Sequence, residues 1–84
     1  MRTKRKAIDL VAYKDGQRIA FEIETGKSDA IANVKKCLDA GLNRVVVVAT
    51  SAVVRDKLSG ALQRDNRIEL LTASEVFQRN YWGR

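Results

Sequence analysis

Apolar and polar positions change period several times along the chain. Lys6–Lys14 (KAIDLVAYK) and Gln17–Glu24 (QRIAFEIE) have the strand period of two, and Asp15-Gly16 between them is a strong two-residue hairpin signal. From Ser28 or Asp29 the period lengthens. Ile31, Val34 and Leu38 predict a helix to about Ala40, capped by either polar residue and stopped by Gly41 in a left-handed conformation. Arg44–Thr50 (RVVVVAT) is an unbroken β-branched run, as in a strand buried on both faces. A second helix runs from Ser51 to about Arg64, with Val54, Leu58 and Leu62 as its stripe. Arg67–Leu71 is a short strand, and Ser74 opens a last short helix ending near Trp82. The order ββαβαβα predicts an α/β domain: a mixed sheet, hairpin antiparallel and later strands parallel, covered by helices.

In a chain of 84 residues this pattern describes one domain with a small core. The apolar fraction of 45% is ordinary for a globular domain. No apolar run approaches the ~20 residues that cross a bilayer, so no membrane partner is expected. Cys37 is alone, which fits a reducing cytoplasm, and its place beside the apolar stripe predicts an inert buried thiol. The absence of histidine removes Ser-His and Cys-His nucleophiles, imidazole bases and His-ligated zinc. Carboxylates, lysines and hard metals remain. A net charge of +6 favours polyanions, nucleic acid first among them.

The stretch FEIETGKSD, residues 21–29, offers two chemistries. Gly26-Lys27-Ser28 ends like a phosphate loop, but the first glycine of G-x-x-x-x-G-K-[ST] would fall at Phe21, inside a strand, so the loop is missing. The carboxylates fare better. If Asp15-Gly16 are the loop residues, Lys14 pairs with Gln17 and Asp9 falls opposite Glu22, with Glu24 on the same face. Ile8, Leu10, Ile19, Phe21 and Ile23 take the other face, where a helix can cover them. Directly opposed side chains stand about 4.5–5.5 Å apart at Cβ, so like charges there repel. Hard oxygen ligands at this separation suit Mg²⁺ or Mn²⁺. The competing reading is a solvated face whose charge is relieved by Lys6, Arg18 or Lys27.

Asp9, then Glu22-Ile23-Glu24, then a helix and the apolar strand Val45–Val48, resemble the core of the PD-(D/E)xK nuclease superfamily over roughly residues 6–50. The resemblance implies a restriction-endonuclease-like fold for residues 1–84. It also implies metal binding by Asp9, Glu22 and the Ile23 carbonyl. Two positions depart from the family pattern: Ile8 stands where the motif proline would be, and Glu24 replaces the lysine that orients the attacking water. Some restriction enzymes of the superfamily also carry Glu there. Lys27 or Lys36 is then the candidate for a migrated cation. The family core begins with a helix and a strand ahead of the Asp strand. Only Met1–Arg5 stand there, which implies a module trimmed from a larger protein or one completed by a partner subunit.

The expected function is hydrolysis of DNA phosphodiesters, as an endonuclease or exonuclease, with Mg²⁺ or Mn²⁺ on Asp9 and Glu22. Glu24 would position the water, accept its proton or share a second ion, and Lys27 would neutralise charge on phosphate. Lys27, Ser28, Asn33 and Lys36 are the candidate DNA contacts around the start of the first helix, and Thr50-Ser51 end the buried strand where ligands gather in open α/β sheets. Tyr81-Trp82 read as packing residues. The alternative is a non-catalytic nucleic-acid-binding module on the same fold. An uncovered sheet edge makes a homodimer the expected assembly.

Overall fold

The computed structural model describes residues 9–27, 29–62 and 64–79. Asp15 and Gly16 both take positive φ, 53° and 78°, as a type I′ turn requires, and the twist of that turn matches its flanking strands. It joins β1, Leu10–Lys14, to β2, Gln17–Glu24. Lys14 stands opposite Gln17, and the ladder runs back to Leu10 opposite Phe21. That is the register expected from the two-residue turn. Asp9 lies just outside the ladder, and Lys6–Ile8 lie outside the described residues.

Five further elements follow: α1 (Ala30–Asp39), β3 (Arg44–Ala49), α2 (Ala52–Ala61), β4 (Ile68–Thr72) and α3 (Ala73–Arg79). The protein is α/β, with one four-stranded mixed sheet in the order β1-β2-β3-β4. β1 and β2 are antiparallel, whereas β2, β3 and β4 are parallel. The crossovers through α1 and α2 step the same way across the sheet. A common hand of crossover then puts both helices on one face, and the packing agrees. Val34 and Cys37 of α1 and Leu58 of α2 meet Ala20, Val45 and Val47 on that face. On the other face, Val76 of α3 meets Ile19, Phe21, Val46, Val48 and Leu71. β3 feeds both layers, so Val45 through Ala49 are all buried.

Several details depart from the sequence expectations. The buried residues of α1 are Ala30, Asn33, Val34 and Cys37. Ile31 is 53% exposed and Leu38 only partly covered, so the helix is rolled toward its smaller and more polar side. The reason lies beneath it, where two glutamates of β2 need donors more than they need isoleucine. α2 stops at Ala61, short of Arg64, because Leu62 turns to extended backbone while its N–H still reaches the Leu58 carbonyl at 2.9 Å. It buries no residue fully and lies at the periphery. α3 is opened by Thr72, not Ser74. Glu75 Oε1 accepts from Thr72 N at 2.8 Å, and Thr72 Oγ1 accepts from Glu75 N at 3.4 Å. This is the reciprocal capping box of a T-x-x-E sequence. Leu10 and Ile23 are 45% and 50% exposed; among the described residues α3 packs on their face through Val76, against Ile19 and Phe21. Tyr81-Trp82 and the end near Trp82 lie outside the described residues.

Gly41 closes α1 with φ +88° and donates to the Leu38 carbonyl at 3.0 Å. Its own carbonyl accepts from Arg18 Nη2 at 2.8 Å, and Arg18 and Asn43 exchange two further bonds, so this corner is stapled to the start of β2. Gly41→Ala would force a side chain into left-handed backbone and push its Cβ to 2.9 Å from Arg18 Nη2. The Arg18 tip can swing away, but the backbone strain remains. The variant is expected to lose about 1 kcal/mol, seen as a fall of about 4–8 °C in the thermal midpoint of a domain this size.

Candidate functional site

Alternation along β2 sends Glu22 and Glu24 to the face covered by α1, and both are buried, 3% and 1% exposed. Charged groups at that depth are costly without partners, and α1 supplies one to each from residues a turn apart. Asn33 Nδ2 donates to Glu24 Oε2 at 3.2 Å, and Cys37 Sγ donates to Glu22 Oε2 at 3.5 Å. The second oxygen of Glu24, Oε1, is buried with no partner among the described residues. The Glu24 carbonyl is held from β3's end, where Thr50 N and Thr50 Oγ1 reach it at 3.1 and 3.3 Å.

Asp9 meets the same point of β2 from the hairpin edge. Its N–H donates to Glu22 Oε2 at 3.4 Å, and its Oδ2 accepts from Ile23 N at 2.9 Å. The N–H and C=O of a strand residue leave the chain on the same side. The Ile23 carbonyl therefore also faces the Asp9 edge. Burial pushes the Glu22 carboxyl up from its ordinary value, and the Asp9 charge adds to this. The Asp9 N–H, the Cys37 thiol and the field of Lys36 oppose it. The Cys37 thiol is pushed up to about 12, by burial first and then by Glu22.

The structure thus joins Asp9, Glu22 and the Ile23 backbone directly, and brings Asn33 onto Glu24. Among the described residues, no three His, Cys, Asp or Glu side chains gather as a metal cluster. Asp9, Glu22 and the Ile23 carbonyl are the residues that could hold a hard cation such as Mg²⁺, an ion that keeps waters in its remaining positions. The unpartnered Glu24 Oε1 is one more oxygen of the same class.

The cations are distributed differently from the expectation. Arg18 is bound to Gly41 at the opposite end of β2 and does not relieve the carboxylates. Lys36 is the lysine whose field reaches Glu22 and Cys37. Lys27 is exposed in the connection from β2 to α1. That connection passes close to α2, since a Cβ on Gly26 would lie 3.3 Å from Val54 Cγ2. Ser28 lies outside the described residues. Asp29 caps α1, its Oδ1 accepting from Ala32 N at 3.1 Å. A carboxylate thus occupies the helix start that was to favour phosphate. The excess positive charge belongs to the chain ends. Arg2, Lys4, Arg5, Lys6 and Arg84 carry five of the sixteen basic residues, and between Asp9 and Arg79 eleven basic residues face ten acidic ones. A hollow of about 300 Å³ lies between α1 and β4, lined by Ile31, Leu38, Leu62 and Ile68 among others. It includes none of the hairpin carboxylates.

Sequence reasoning made Asn33 a candidate DNA contact beside the helix start and Cys37 an inert buried thiol. The signal for their inward role was their i, i+4 spacing, matched to two carboxylates two apart on the strand below.

Because folding raises the Glu22 carboxyl above its ordinary value near 4.5, the folded state holds that proton more tightly than the unfolded chain. Stability of the metal-free protein should rise as pH falls from neutral through the raised value toward 4.5, and should be lost again as pH climbs. Glu22→Gln should flatten this dependence and be at least as stable as wild type at pH 7. Denaturant titrations at a series of pH values measure both.

No protein-family model, no curated protein and no solved structure matches this chain. What the site can do is read from its own atoms.

Proposed function

We propose that the chain is a restriction-endonuclease-like domain that hydrolyses DNA phosphodiesters with Mg²⁺ or Mn²⁺. The observation that carries this reading is the hydrogen bond from the Asp9 N–H to Glu22 Oε2 at 3.4 Å, with the Asp9 carboxylate on Ile23 N at 2.9 Å, beside a buried Glu24 whose Oε1 has no partner among the described residues. A structural hairpin gains nothing from two buried carboxylates, which a purely apolar pair would replace at lower cost.

In this reading Asp9, Glu22 and the Ile23 carbonyl hold the ion. A divalent ion held there would supply polarisation of the scissile phosphate and a lowered pKa for water. The chain's own residues do the rest. Glu24 Oε1 orients the attacking water and takes its proton. Lys36 balances charge at Glu22, and exposed Lys27 meets the phosphate from the connection after β2. The basic residues Arg2, Lys4, Arg5 and Lys6, just ahead of Asp9 in sequence, supply salt-sensitive attraction to the duplex that the evenly charged body does not. A homodimer would present two such sites to one duplex.

Cleavage of linear, nicked and branched DNA with Mn²⁺ tests the reading. Wild type should cut at least one of these, and Glu24→Gln should lower the rate ~10²-fold or more, with Mn²⁺ binding through Asp9 and Glu22 surviving but weakened. Asp9→Ala and Glu22→Ala should each abolish Mn²⁺ binding in calorimetry. A wild type that binds DNA salt-sensitively yet never cuts it would be the alternative, a non-catalytic nucleic-acid-binding module.

A further inference from the structure

Glu24 is the residue by which this chain differs from a lysine-bearing motif, and its surroundings define its state. The side chain is 1% exposed. One oxygen is taken by Asn33 Nδ2 at 3.2 Å and the other has no partner among the described residues. Asn33 is itself buried, 9% exposed. It lies on the inward side of α1, one turn before Cys37, while Ile31 of the same helix is 53% exposed. An amide has two donors and a carbonyl, so packing asparagine beneath a helix costs more than packing leucine unless its hydrogen bond is needed.

We infer that Asn33 is the positioning residue of the site: by holding Glu24 Oε2 it turns Oε1, the unpartnered oxygen, toward a divalent cation or its water. The inference rests on the metal-site reading above and names the group that orients its least usual carboxylate. Ligating carboxylates are commonly fixed by such hydrogen bonds, and loss of the fixing partner costs 10–100-fold in affinity or activity. Asn33 makes no contact with the cation in this scheme and acts only through Glu24.

The test uses the full chain and Mn²⁺ alone as ligand. Asn33→Leu keeps size and burial but removes the donor. Calorimetry should show Mn²⁺ bound ~10-fold more weakly, with an unchanged far-ultraviolet dichroism spectrum. In a Glu24→Gln background the same substitution should leave Mn²⁺ affinity unaltered, because no carboxylate remains to be held. That non-additivity separates positioning from general damage to the fold. Equal losses in the two backgrounds, or wild-type affinity in Asn33→Leu, would overturn the assignment. If Asn33→Leu does not fold, the side-chain amide of Asn33 in the ¹⁵N spectrum of the wild type gives the answer. It should shift on Mg²⁺ addition and in Glu24→Gln, and an amide that moves in neither overturns the assignment. The two readings fail separately. A wild type that cuts no DNA but shows these couplings removes the nuclease reading and leaves Asn33 its role, whereas undiminished cutting and Mn²⁺ binding by Asn33→Leu does the reverse.

Discussion

The turn at Asp15 and Gly16 decides which face of the sheet carries charge. Both residues have positive φ, and only a two-residue loop of that geometry sets Lys14 against Gln17. From there the strand period does the rest. Odd positions of β2, Ile19 and Phe21, enter the layer under α3, and even positions, Ala20, Glu22 and Glu24, enter the layer under α1. A slip of one residue in β2's pairing would exchange the two sets and bring glutamates against Val46 and Val48. The β2–β3 pairing holds the frame from the other side, with Glu22 beside Val47 and Glu24 beside Ala49. Every later feature of the site, including the meeting of Asp9 with Glu22, follows from this one register.

Much of the architecture was legible because its signals are local. The Asp-Gly pair, the valine run and the glycine after α1 each act within a few residues of themselves. Where the sequence misled, a distant element had the deciding voice. Ile31 and Leu38 have the spacing of a buried stripe, but α1 lies on a strand that presents carboxylates, and the helix rolled until Asn33 and Cys37 reached them. Leu10 and Ile23 alternate as core residues do, yet among the described residues the Val76 contact of α3 reaches Ile19 and Phe21 of that face and not these two. The start of α3 was a local signal, overlooked. Thr72 and Glu75 form a capping box that outcompetes Ser74 for the role.

The candidate site was legible in its acids and less so in its surroundings. Hairpin register alone brings Asp9 to Glu22, so two residues far apart in sequence could be paired from the turn. Their hydrogen-bond partners come from α1, and which side of a helix faces a strand is not written in the helix. Charge was also misleading when taken as a single number. The positive excess lies at the two ends of the chain, while Asp29 places a negative charge at the very helix start that seemed open to phosphate.

The sulfur of Cys37 has a consequence of its own. It is fully buried, it donates to Glu22, and its thiol is pushed up to about 12. Oxidation and disulfide exchange proceed through the thiolate. While α1 stays on the sheet, the sulfur nearest the carboxylates is therefore almost wholly in its unreactive form. Burial and the raised thiol together disfavour oxidation of the wall behind the carboxylates at neutral pH.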